Sequence, residues 1–174
     1  PNAFLVPDPV RVNYWRSRLK SLGTGIFVGI SWKSPLLTLR RLPNYTDVYD
    51  WAPLFSLSDI TFINLQSTDF SDDIIKIQDK LGIKVHNFND LDHYDNLDDV
   101  AALSAALDIV VSVSTAVAAI AAGVGTSVKL ISWRQSSWNN IQFAPRGPYI
   151  EVFERNTWET WDETFQSLAE NLKE

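Results

Sequence analysis

The sequence predicts an α/β domain, a Rossmann-like three-layer sandwich with a mainly parallel sheet of about six strands. Three observations lead there. Short apolar runs alternate with amphipathic stretches along the whole chain, the pattern of repeated strand-helix units. Several of those runs, Ile26 to Ser31 and Ile109 to Val113 among them, are apolar almost throughout, which suits strands covered on both faces. The 174 residues, 45% of them hydrophobic, supply one well-buried core and are short for two. The expected organisation is a single domain over 1–174, with a lead-in helix at 8–22, an α/β core at 25–153 and a C-terminal helix at 157–172.

Each element has its own signal. Val12, Trp15, Leu19 and Leu22 recur at helical spacing between Asp8 and Leu22, and Gly23 stands where a helix stop belongs. Ile26 to Ser31 is the first strand, followed by a loop from Trp32 to Pro35. From Thr46, read as an N-cap, the stripe Val48, Trp51, Leu54 and Phe55 predicts a helix ending near Ser58. Ile60 to Gln66 is the second strand. Ser71, Asp72 and Asp73 place a cap and acidic groups at the start of a helix that Gly82 stops. Lys84 to Asn87 is the third strand, and an acidic loop from Asn89 to Asn96 leads into a helix at Leu97 to Leu107. Then come the strand Ile109 to Val113, a small-residue helix from Thr115 to Ala122, and the strand Ser127 to Trp133. A long polar loop, Arg134 to Pro148, precedes the last strand at Tyr149 to Phe153. The final helix, Thr157 to Leu172, carries Trp158, Trp161, Phe165, Leu168 and Leu172 on one side.

Composition narrows the function. With 15 Lys+Arg against 21 Asp+Glu the formal net charge is −6, so no broad basic field is available for nucleic acid or an anionic membrane. No cysteine is present, which removes disulfides, thiolate catalysis and Cys-ligated zinc together and favours the cytoplasm. No run approaches the ~20 apolar residues of a bilayer span. The chain opens on Pro1 and contains no Met, so a longer parent with an upstream part is expected. Gly23, Gly25 and Gly29 precede or begin the first strand rather than following it, and no Gly-Lys-Ser/Thr occurs; a nicotinamide fingerprint and a P-loop are both excluded.

Parallel sheets of this kind bind ligands beyond the carboxyl ends of their strands, which directs attention to the loops after Ser31, Gln66, Asn87, Val113 and Trp133. The most informative stretch is Asp108 to Gly125. Its strand delivers Ser112, Ser114 and Thr115 to the start of a helix built largely of alanine and valine. Free N–H groups and the helix dipole favour an anion such as a diphosphate there. The plain alternative is that Ser114 or Thr115 serves only as an N-cap, and the residues alone leave both readings open.

Five pieces of the chain carry a resemblance: "GISWKS" at Gly29 to Ser34, "DWAPLF" at Asp50 to Phe55, "FINLQ" at Phe62 to Gln66, the long segment Asn96 to Gly125, and "TSVKLISW" at Thr126 to Trp133. In this order and at these separations they resemble the C-terminal, donor-binding domain of GT-B glycosyltransferases of the heptosyltransferase-like group, especially related domains that follow tetratricopeptide repeats in bacterial proteins. The resemblance implies a nucleotide-sugar donor as partner and no metal or other cofactor. It implies a donor-phosphate site from Ser31, Trp32 and Lys33 on one side and Ser114, Thr115 and Ala116 on the other, with Lys33 as a point charge. Gln66 would meet the ribose or base, and the loop holding Tyr94 and Leu97 would face the base. The catalytic base would lie in an N-terminal domain, so this chain alone would not catalyse transfer.

Two departures stand out. Where the family carries Asp-Thr followed by a His one turn on, this chain has Ser114 and Ala119, so a carboxylate and an imidazole are missing. This keeps open a second reading, a catalytically silent Rossmann-like interaction module. Trp133, Arg134, Gln135, Trp138 and Asn139 form a polar-aromatic loop on the ligand edge, suited to sugar or acceptor contacts or equally to packing on another domain. Asp90-Leu91-Asp92, beside His93 and Asp95, formally matches an Asp-x-Asp metal motif, although acidic loops produce such matches by chance and a solvated loop is the expected reading. Arg40 and Arg41, after the first strand, are read as surface residues, with an anion bridge as the alternative.

Overall fold

A computed structural model describes residues 3–34, 45–68, 70–133, 148–156 and 158–173. Asp8 caps the first helix, α1 (Pro9–Leu22), by accepting from Val10 N at 2.8 Å, and Pro9 supplies a φ already suited to the first turn. The helix buries Val12, Trp15 and Leu19, three of the four stripe residues. The strands are β1 (Ile26–Ser31), β2 (Ile60–Asn64), β3 (Val85–His86), β4 (Ile109–Val113), β5 (Ser127–Trp133) and β6 (Ile150–Arg155). They form one sheet in the order β3-β2-β1-β4-β5-β6, and every pairing is parallel. The remaining helices are α2 (Ala52–Phe55), α3 (Ser71–Leu81), α4 (Leu97–Ala106), α5 (Ala116–Gly123) and α6 (Asp162–Asn171).

Period-two alternation divides the strand residues between two cores, one on each face of the sheet. Ile63, Leu65, Val110, Val128 and Leu130 pack with Trp15, Leu19, Leu103, Ala118 and Ala121 of α1, α4 and α5. Val28, Ile30, Val111, Val113 and Ile131 pack with Trp51, Leu54, Phe55, Ile77, Phe165 and Leu168 of the opposite layer. The predicted three-layer sandwich with a parallel sheet of six strands is therefore the observed architecture. Gly25 makes the entry to β1 possible: its φ is +116°, and a Cβ there would stand 2.4 Å from the carbonyl oxygen of Asp59, which the next residue, Ile26, uses as its N–H acceptor at 3.0 Å.

Three local expectations are corrected. The helix expected from Thr46 to Ser58 is a 3-10 turn over Val48–Trp51 running into the short α2. Its cap is Asp47, whose carboxylate accepts from Tyr49 N at 3.0 Å while Asp50 accepts from Asp47 N at 2.7 Å. Thr46 is instead buried, donating to Trp32 O at 2.8 Å and accepting from Trp51 Nε1 at 2.9 Å. The last helix starts at Asp162 rather than Thr157. Trp158 therefore lies outside its apolar stripe and is 97% exposed, whereas Trp161, Phe165 and Leu168 are buried. Finally, the helix expected to be capped by Ser71 begins after Phe70, leaving Ser71 in the first turn. Among the described residues, no helix is long and apolar enough to cross a membrane.

Candidate functional site

β1 and β4 are neighbours at the centre of the sheet, and the strand order reverses between them. A crevice therefore opens beyond their carboxyl ends, where the chains leaving β1 and β4 diverge to opposite layers. Ser31 and Ser112 pair across this point. A cavity of about 430 Å³ lies there, and its wall includes Ser31, Lys33, Gln66, Tyr94, Leu97, Ser114, Thr115 and Ala116. These residues come from four separate parts of the chain, and each is one that the family resemblance assigns to a donor site.

Two of its sides differ in character. On the β4 side, Ser112 Oγ donates to Val113 O at 2.7 Å and lies 3.1 Å from Thr115 Oγ1. Thr115 is the residue preceding α5, yet with its hydroxyl turned back toward Ser112 it makes no cap, and among the described residues no side chain caps that helix. The first turn of α5 therefore presents its N–H groups and the positive end of its dipole at the cavity wall. Ser114 Oγ is buried with no hydrogen-bond partner among the described residues. An unsatisfied buried hydroxyl costs about 1–3 kcal/mol, so this atom sits where a partner is wanted.

On the β1 side the loop is clamped by Gln66. Its Oε1 accepts from Trp32 N and Lys33 N, both at 3.1 Å, and from Ser31 Oγ at 3.3 Å, while its Nε2 donates to Lys33 O at 2.8 Å. Gln66 is 1% exposed. It lines the cavity as expected, but its amide is committed to holding the Ser31–Lys33 loop. Lys33 Nζ is 2.8 Å from Asp73 Oδ2, and Trp32 Nε1 donates to the same oxygen at 2.9 Å. Burial works to raise the Asp73 carboxyl, and the hydrogen bonds from Lys33 and Trp32 together outweigh it, so the group is held below the usual carboxylate range. The Trp32 side chain packs into the core with Val48 and Trp51 and does not reach the cavity, so only its backbone belongs to the loop.

The third side comes from the segment after β3. Tyr94 is 65% exposed and Leu97, the first residue of α4, 52% exposed. His93 also lines the cavity. In the sequence it stands out only as a companion of Asp90 and Asp92, although its position beside the Tyr94–Leu97 loop on the ligand edge carries the signal. Asp90 and Asp92 are engaged elsewhere: Asp90 with Arg18 and Tyr14, Asp92 with the N–H groups of Tyr94 and Asp95, both at 2.9 Å. Among the described residues no group of three or more His, Asp or Glu is placed to hold a metal. Trp133 ends β5 and is not part of the cavity wall. Arg134, Gln135, Trp138 and Asn139, with Arg40 and Arg41, lie outside the described residues. A larger depression, about 760 Å³, runs between Leu5–Asp8 and the start of α4. Its polar groups Arg11 and Asp99 already satisfy each other, which makes it the weaker ligand candidate despite its size.

No protein-family model matches the chain. Among curated proteins it is similar to Protein FlbA of Caulobacter vibrioides, 34% identical over 175 residues, a match that covers 99% of this chain and 29% of that protein. The chain thus spans less than a third of the length of the curated relative it matches. Among solved structures it is similar to a glycosyl transferase family 9 protein from Veillonella parvula (TM-score 0.65, 10% identity, 99% of this chain and 46% of that one). It is similar also to ADP-heptose lipopolysaccharide heptosyltransferase II from E. coli (TM-score 0.67, 15% identity, 97% and 52%). A third likeness is to an E. coli heptosyltransferase solved with ADP-2-deoxy-2-fluoro heptose (TM-score 0.58, 16% identity, 86% and 42%). At these identities the likeness is one of fold: the chain has a glycosyltransferase-like α/β fold corresponding to about half of each of those chains.

Proposed function

We propose that the chain is the nucleotide-sugar-binding half of a glycosyltransferase, holding the donor in the crevice between β1 and β4. One observation carries this reading: an uncapped helix start and an unpartnered buried hydroxyl, Ser114 Oγ, meet in a cavity at the switch point of a parallel sheet. Such a wall suits a diphosphate, whose charge grows as the glycosidic bond breaks; fixed N–H donors stabilise that growing charge without needing to reorganise. No metal is required for this. The base that activates the acceptor is expected from chain outside these 174 residues, since the heptosyltransferase-type chains of like fold are about twice as long. A cytoplasmic setting and an upstream partner domain, with or without tetratricopeptide repeats, belong to the same proposal.

Isothermal titration with UDP-, GDP- and ADP-sugars tests it, with a saturable signal for at least one expected. Silence with all three at millimolar concentration would overturn the donor reading. It would favour the silent interaction module, toward which Ser114 and Ala119 point by replacing the family's Asp and His. Two variants sharpen the test. Ser114→Ala is expected to leave urea stability unchanged or raised by up to ~1 kcal/mol, because an unsatisfied group is removed, while weakening nucleoside diphosphate binding about tenfold. Lys33→Ala is expected to cost about tenfold in affinity as well, if the ammonium turns from Asp73 to phosphate on binding; unchanged affinity would leave Lys33 solely as the partner of Asp73.

A further inference from the structure

His93 is the polar group in the cavity wall that its own surroundings leave most conspicuously unanswered. It is 9% exposed, and neither Nδ1 nor Nε2 has a hydrogen-bond partner among the described residues. Buried polar atoms in native proteins are almost always paired with protein, water or ligand, so two buried ring nitrogens without a partner, on a residue that lines the cavity, call for an occupant once the ring turns toward it. The setting says what kind. The ring of Phe70 stands edge-on at 6.4 Å, and Leu97, Val100 and Ile120 are apolar neighbours in the same wall, with Tyr94 exposed beside them. Burial pushes the imidazole pKa below its ordinary value, against the opposing charge of Asp92, which favours the neutral ring. A neutral imidazole offers one donor and one acceptor and has no charge with which to hold a phosphate.

The cavity thus has an anion-seeking side at Ser114 and the start of α5, and a mainly apolar side on which His93 offers one neutral donor and one acceptor and Tyr94 a phenol hydroxyl. A nucleobase has the matching chemistry, with flat apolar faces and an edge of mixed donors and acceptors. We propose that His93 hydrogen-bonds the edge of the donor's nucleobase and sets which base the site accepts. This rests on the donor-site reading above and goes beyond it by naming the residue that confers base choice. A pocket built to pair polar groups rejects a ligand that leaves them unpaired, which is how a single side chain can discriminate among bases.

The test is a titration of the chain and its His93→Leu and His93→Gln variants with ADP, GDP, UDP and CDP, and with inorganic pyrophosphate. For the unmodified chain, one nucleoside diphosphate is expected to bind at least tenfold better than pyrophosphate. His93→Leu is expected to lose that advantage and level the four affinities, with pyrophosphate binding unchanged within about twofold. His93→Gln, which keeps a donor and an acceptor, should recover part of the selectivity. Only two histidines are present, so ring-nitrogen NMR of the unmodified chain gives a readout that needs no variant: His93 should shift on adding the preferred nucleotide and His86 should not. Equal affinity and ranking in His93→Leu, or an unmoved His93 signal at saturation, would overturn the assignment while leaving the donor site intact. Binding of pyrophosphate without preference for any nucleotide would also overturn it. Failure to bind any of the five would instead sink the donor site itself, and the role of His93 with it.

Discussion

Replacing Ala116 with Glu is expected to abolish nucleoside diphosphate binding while leaving the fold as stable as before or slightly more so. Ala116 is the first residue of α5, exposed and in the cavity wall. A carboxylate in the first turn of a helix interacts favourably with the dipole, by about 0.3–1 kcal/mol at an exposed position. The same carboxylate would occupy the place proposed for the diphosphate. Two unit charges about 5 Å apart at an effective dielectric of ~20 repel by about 3 kcal/mol, which corresponds to at least ~100-fold in affinity. Ala116→Gln has nearly the same size and no charge, and should retain most of the binding. Calorimetric titration with the nucleoside diphosphate preferred by the unmodified chain, together with urea unfolding of both variants, measures the two effects separately. A Glu variant that still binds normally would move the anion away from α5, whatever the fate of the rest of the proposal. The opposed signs matter: a substitution that merely damaged the domain would lower stability and binding together.

The second large effect concerns Asp99, which joins α1 to α4. Its carboxylate accepts from Arg11 Nε at 2.8 Å and Arg11 Nη2 at 2.6 Å, and from Trp15 Nε1 at 2.8 Å, with the Asp99 side chain 8% exposed. Asp99 also sits in the first turn of α4, two residues after Leu97 in the cavity wall. Asp99→Ala strands the Nε1 of a Trp that is fully buried and breaks a bidentate ion pair whose arginine is 41% exposed. About 3 kcal/mol of unfolding free energy at pH 7 is the expected loss, more than a surface pair would give and less than a wholly buried one. Hydrogen bonds from Arg11, and next from Trp15, outweigh burial and hold the Asp99 carboxyl below its ordinary range. A carboxyl depressed in the folded state stabilises fully above its unfolded value, near 3.9, and the contribution disappears as pH falls through the lower folded value. The gap between the unmodified chain and Asp99→Asn in urea unfolding should therefore be constant from about pH 5 upward and close progressively below pH 4. A gap that ignores pH would mean that packing, and not charge, is what Asp99 contributes.

Which residues would line the candidate cavity was largely legible before any coordinates, and their hydrogen-bond wiring was not. Ser31, Lys33, Gln66, Tyr94, Leu97, Ser114, Thr115 and Ala116, which the family resemblance picks out, all line one cavity because strand ends in a parallel sheet share an edge; the apolar runs indicate only which loops lie there. Trp32 shows the limit. It belongs to the loop after β1, but its side chain turns into the core on one face of the sheet, and its Nε1 donates to Asp73. The occupied amide of Gln66 and the Lys33–Asp73 pair involve partners 33 and 40 residues apart, and nothing in the local pattern of either segment announces them. For His93 the sequence offers only a place beside an Asp-x-Asp match in an acidic loop that reads as solvated, whereas in the fold its ring is buried, edge-on to Phe70.

Sequence alone was enough to establish the layers, the parallel character of the sheet and the nature of the α5 segment. Those features follow from local periodicity, from strands apolar on both faces, and from small residues that permit close packing; each is written within a few consecutive residues. Tertiary structure alone decided the order β3-β2-β1-β4-β5-β6, and with it the place where the crevice opens. It also decided that Thr115 turns from the helix start toward Ser112, leaving α5 without a side-chain cap, and that Ser114 Oγ and the His93 ring nitrogens are buried with no partner among the described residues. The physical reason is the same for all of these. Which hydrogen-bonding groups are satisfied depends on what distant segments bring to them once the cores on the two faces have closed, and no local pattern encodes that encounter.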